Sequence, residues 1–188
     1  MPRRTGRRWT VIVAGAVLWL SAAPAIAETF AECAERAYAQ NVAAAQDWQR
    51  GLRDLIVKAK PELATLATLA MEQQLAFIDR NQARLSYLAR TDASRIRTRE
   101  GLMAFRNLDW TDADALILRQ QRPSYAALER RVADLGGQTK AHRDWPTLQE
   151  YMRAAQGVNP EFEGLLTRFK ARESAIEPLL RGCRPPAP

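Results

Sequence analysis

From Phe30 to Ala59 the chain runs without a proline, and Ala34, Tyr38, Asn41, Ala45, Trp48, Leu52, Leu55 and Ala59 recur there at alternating steps of four and three. That spacing is the seam of a helix packed along another helix, so a second long helix has to lie against it. Asn41 within the seam reads as a register-fixing polar residue. Pro61 supplies the break. After it, Leu63, Leu66, Ala70 and Phe77 form one apolar stripe and Met71, Leu75, Ile78 and Leu85 a neighbouring one. A reversal at Lys60, with proline at the first turn of the new helix, predicts an antiparallel helical hairpin.

The rest of the chain repeats one way of starting a helix. "PELATL", "PSYAAL", "PTLQEY" and "PEFEGL" each place apolar residues two and five positions after a proline, which needs no N–H partner in a first turn. Their unequal intervals exclude a true repeat. Tyr125, Leu128, Val132 and Leu135 form one later stripe, expected to stop at Gly136-Gly137. Leu148, Tyr151, Met152 and Ala155 form the next, ended by Gly157. Asn159-Pro160 opens the last, with Phe162, Phe169, Ile176 and Cys183 at successive sevens. Thr111 and Asp114 have capping-box spacing. No alternating run rich in Val, Ile and Thr follows residue 27. The expected fold is all-α: an antiparallel helical bundle with a long N-terminal hairpin and shorter C-terminal helices.

Arg3, Arg4, Arg7 and Arg8, an apolar run from Trp9 to Leu20 and the small residues Ala25-Ile26-Ala27 have the order of a secretory signal peptide. Residues 1–27 are expected to be cleaved off, leaving 28–184 as one helical domain and 185–188 as a Pro-rich tail, with no stable transmembrane anchor. The whole chain carries +7, but four of its 28 basic residues precede Ala27, so against 21 acidic residues the remainder carries about +3. Export and this modest charge argue against nucleic acid as partner. Cys33 lies too far beyond the apolar run for lipid attachment. In an oxidising compartment it is expected to pair with Cys183, joining the first helix to the last.

Chemistry-bearing patterns are few. No C-x-x-C, C-x-x-C-H or Glu-x-x-His spacing is present, and no cofactor or metal is expected. His142, the single histidine, reads as a surface or capping residue, and Asp112 and Asp114 as helix-start acids. Trp110 and Trp145 both precede expected helix starts. They read as hydrophobic staples or, alternatively, as walls of an aromatic pocket. Arg84, Arg95 and Arg106 recur every eleven residues, with Arg99 beside them. On one continuous helix these four would form a cationic line, either a solvated face or a docking face for an anionic envelope component or acidic protein. The sequence therefore points to an exported, periplasmic, non-enzymatic interaction protein of adaptor, chaperone, assembly-factor or immunity type. A bundle binding a small ligand or lipid is the alternative.

Overall fold

The structure is a computed structural model that describes residues 29–183. The signal segment 1–27, its cleavage point and the tail 185–188 lie outside the described residues. Helix α1 spans Phe30–Ala59. It opens on a capping box: Thr29 Oγ1 accepts from the Glu32 amide at 3.2 Å, and Glu32 Oε2 accepts from the Thr29 amide at 2.9 Å. The chain reverses at Lys60, passes a 3₁₀ turn at Pro61–Leu63, and returns as α2, Ala64–Thr91. The hairpin reading of Pro61 is correct. Beneath the turn, Leu63, Leu66 and Ala67 are buried against Ile56 and Leu148.

Past Thr91 the helix ends. Asp92 leaves the helical conformation, at φ −155° and ψ 79°, and accepts from the Ser94 hydroxyl, a local bond that competes with further helix. Residues 92–111 then hold two 3₁₀ turns, Ala93–Arg95 and Thr98–Glu100, and the short α3, Met103–Arg106. Gly101 joins them with φ +64° and ψ −145°, a conformation side chains with a Cβ avoid. The Thr111–Asp114 capping box forms and starts α4, Asp112–Gln121. Next come α5, Pro123–Ala141, α6, Trp145–Ala155, and α7, Pro160–Gly182, whose Asn159 cap accepts from the Glu161 and Phe162 amides. Gly157, at φ +74°, follows the end of α6 as expected.

Gly136-Gly137 do not stop α5, which continues to Ala141. Two glycines cost a helix roughly 1 kcal/mol each relative to alanine, and tertiary contact outweighs that. The buried Thr139 donates its hydroxyl to Leu135 O at 2.8 Å, and the missing side chain of Gly136 leaves room for Gln73 of α2.

Helices α5, α2, α1 and α7 lie side by side in that order, so α1 and α2 are each flanked twice. Two flanking neighbours explain why α1 buries Ala37, Val42, Ala44 and Ile56 beyond the expected seam. α7 runs antiparallel to α1, from the Lys58–Glu161 ion pair at the turn end to the Cys33–Cys183 disulfide at the other. The predicted bridge is present, with the two Cα atoms 5.6 Å apart. Between these ends Gly51 lets α7 approach, and Trp48 stacks near Phe162 and Phe169 at 5.8 and 5.4 Å. Residues 92–111 close the disulfide end, where Ile96, Leu102 and Phe105 join Tyr38, Leu85, Leu88, Ile176 and Leu180 in the main core. Phe77 departs from its expected core stripe and is 41% exposed.

Candidate functional site

Because α2 stops at Thr91, the four arginines of the eleven-residue spacing do not share a helix and form no continuous line. Arg84 sits on α2, Arg95 and Arg99 in the two 3₁₀ turns, and Arg106 at the end of α3. Three of them are occupied internally. Arg95 makes a two-pronged pair with Asp114, Nη1 to Oδ1 at 3.0 Å and Nη2 to Oδ2 at 2.6 Å, and its Nη2 also donates to the Asp109 carbonyl. The Arg95 guanidinium, followed by Thr111, holds the Asp114 carboxyl well below the usual range against the effect of burial. Arg106 pairs with Glu173 of α7 at 2.7 Å. Arg99 is exposed and, unlike the other three, has no ion pair among the described residues.

Arg84 belongs to a half-buried network between α2, α4 and α5. Its Nε donates to Tyr125 Oη at 2.9 Å, and its guanidinium lies 5.0 Å from the centre of the Trp110 ring. Tyr125 donates to Glu129 Oε1 at 2.8 Å, and Arg119 Nε donates to Oε2 at 2.5 Å. Burial alone would raise the Glu129 carboxyl, but the hydrogen bonds from Arg119 and Tyr125 outweigh it and hold the group low. Trp110 is wedged between Tyr87 and Tyr125, at 5.7 and 6.0 Å between ring centres. These contacts tie α2, α4 and α5 together.

Trp145 has different surroundings, so the two tryptophans share no pocket. It opens α6 and lines a groove of about 540 Å³ between α6 and the turn-end half of the α1/α2 hairpin. Leu52, Ile56, Ala67, Ala70, Met71, Leu148 and Met152 supply its apolar surface. Gln49, Gln73, Gln74, Gln149 and Gln156 supply amides, and among the described residues the charged groups lining it are Arg53 and Arg153, with no acidic residue. Arg153 is exposed and makes no ion pair among the described residues. Arg53 Nε lies 2.6 Å from Asp54 Oδ1, but its hydrogen is not directed there, so the buried Nε has no hydrogen-bond partner.

A second cavity, about 680 Å³, opens at the turn end beside Tyr151, whose buried hydroxyl also lacks a partner. There the lining charges Lys58 and Glu161 satisfy one another at 2.6 Å, leaving no unmatched charge. His142 ends α5, and its Nδ1 accepts from the Asp144 amide at 3.3 Å, a local turn contact. Among the described residues no three His, Cys, Asp or Glu side chains gather as metal ligands.

Apart from Trp145, the groove residues escaped the sequence reading, although a signal was there. Gln73-Gln74 interrupts the α2 stripe between Met71 and Leu75, and two amides in a half-buried face need polar partners. No family model, curated protein or solved structure matches the chain, so its site is read from its own residues.

Proposed function

We propose that this chain is an exported, non-enzymatic interaction protein whose binding surface is the groove between α1, α2 and α6. One observation carries the reading: the groove combines an apolar floor with five side-chain amides on its walls. Amides that both donate and accept suit the polar groups of a polypeptide, while the floor takes apolar side chains; a central apolar patch with a polar rim is the common anatomy of a protein interface. The two acids most embedded in the molecule, Asp114 and Glu129, support the non-enzymatic part. Both are held ionised by arginines, whereas a general acid needs its carboxyl raised. The disulfide accords with an oxidising compartment, and among the described residues no helix is long and apolar enough to cross a membrane.

A small-ligand or lipid site is the second reading, favoured by a groove volume within the usual range of ligand pockets, roughly 300–1,000 Å³. Photo-crosslinking in the source cell separates the two. A photoreactive residue at Gln74, in the groove, is expected to give adducts of protein size, and one at Arg50, on the exposed polar side of α1, is expected to give none. Adducts only of lipid or metabolite size at Gln74 would favour the second reading, and equal protein adducts at both positions would remove the groove's special role.

A further inference from the structure

Gln74 is the last residue of α2 that lines the groove. Three residues on, Phe77 lies on the same side of α2 and is 41% exposed; residues three apart on a helix are surface neighbours. Over its ring, at 4.5 Å from the centre, sits the guanidinium of Arg80. That guanidinium is short of partners. Its buried Nε has none among the described residues, and its Nη2 reaches only Asn81, the next residue, at 3.4 Å. Burial and the nearby charge of Arg84 both weaken its hold on the proton. From Ala67 through Ala70, Met71 and the amide of Gln74 to the exposed Phe77 is ten residues, roughly 15 Å along α2 or about three helical turns. Beside it Arg153 makes no ion pair among the described residues, Arg53 pairs with Asp54 through its Nε side alone, and Arg80 stands over Phe77.

We infer that the partner segment held in this groove is an amphipathic helix with an apolar face and acidic flanks. The inference rests on the reading of the groove as a protein-binding surface and adds the chemistry of the partner. The geometry fits an inserted helix: about three turns would lay residues spaced i, i+3 or i+4 and i+7 over Leu52, Met71 and Met152, with Phe77 beneath its far end. Charge selects the flanks. Arginine forks bind carboxylates with two parallel hydrogen bonds, and among the described residues the charged side chains lining the groove are both arginines, so a lysine-flanked helix meets no lining carboxylate there. The same arrangement favours acidic helices over neutral ones of equal hydrophobicity, with the advantage falling as salt is added.

The probes are three fluorescent synthetic helices of about four turns that share one leucine-rich face and carry glutamate, glutamine or lysine on both flanks. Their binding to the full-length protein is read by anisotropy at low and high salt. The glutamate helix is expected to bind about tenfold or more tighter than the lysine helix at low salt, with a smaller ratio at high salt. In R53Q/R153Q most of that ratio should vanish while the circular dichroism and melting temperature stay unchanged. R80Q should lower it independently, and because Arg80 is partly buried the double variant remains the deciding one. Equal binding of all three helices, preference for lysine, or a ratio that survives R53Q/R153Q would overturn the inference. So would binding by none of them. If the crosslink at Gln74 still yields protein in that case, the groove reading stands and only the partner chemistry fails; if it yields none, both fall.

Discussion

Replacing both bridge cysteines with alanine, C33A/C183A, frees the two ends of the α1–α7 pair. The bridge spans 150 residues of sequence. On the chain-entropy relation, closing a loop of that length removes about 17 cal/mol/K from the unfolded chain, or about 5 kcal/mol at 25 °C. Measured effects of native bridges run from about 2 to 5 kcal/mol, so the loss should fall in that range, near its top if the unfolded ensemble is open. The folded side changes little, because α1 and α7 still meet along their length through Trp48, Phe162, Phe169 and the Lys58–Glu161 pair. At roughly 2–4 °C per kcal/mol for a chain of this size, melting should drop by about 5–20 °C. Urea titration of oxidised wild type against the variant measures the loss directly. Hydrogen exchange adds location: residues 96–105 pack on the bridged end, and Thr98 Oγ1 lies 3.4 Å from Cys183 O, so their amides should lose protection first. A variant within about 1 kcal/mol of wild type would refute the reasoning, since it would mean the two ends stay together in the unfolded chain without the bond.

The Arg95–Asp114 pair sets a pH dependence. Asp114 titrates below its unfolded value, so its contribution is full above the ordinary carboxylate pKa of about 3.9 and is lost as pH falls below it. Urea stability should fall more steeply from about pH 4 to pH 2 in wild type than in D114N. Replacing Arg84, Arg95, Arg99 and Arg106 together by glutamine should destabilise the protein by about 3 kcal/mol or more, carried by the half-buried Arg84 and Arg95, whereas R99Q alone should leave the urea midpoint within about 0.5 kcal/mol. G101A forces a Cβ into a conformation reserved for glycine and against the Glu177 carboxylate, and should cost about 1–3 kcal/mol by thermal melting.

Which of these features could be read from the sequence follows from the range of the interactions behind them. The α1 limits, the turn at Lys60, the Thr111–Asp114 box, the Asn159 cap and the Cys33–Cys183 bridge depend on local spacing or on the arithmetic of two cysteines, and all are present as expected. Gly136-Gly137 misled because a propensity cost of roughly 2 kcal/mol for the pair is offset by packing against α2, a neighbour that no local rule specifies. The arginine spacing misled for a related reason. It assumed one helix through residues 84–106, but Arg95 pairs with Asp114, nineteen residues away, within a segment that turns at Asp92 and Gly101. The groove needs three helices at once, and α6 reaches α2 only in the folded molecule. Phe77, spaced like a core residue, lies exposed on α2 three residues beyond Gln74.

Methionine methyl NMR tests the groove most directly, because the protein carries its own reporters. Met71 and Met152 line the groove, while Met103, 49% exposed on α3, lies among a separate set of residues and serves as an internal control. With [¹³C-methyl]methionine protein titrated with the glutamate-flanked helix, the Met71 and Met152 signals should shift together along one saturating curve while Met103 stays in place. Movement of Met103 with Met71 and Met152 unchanged at saturation would contradict the account and put the binding surface elsewhere.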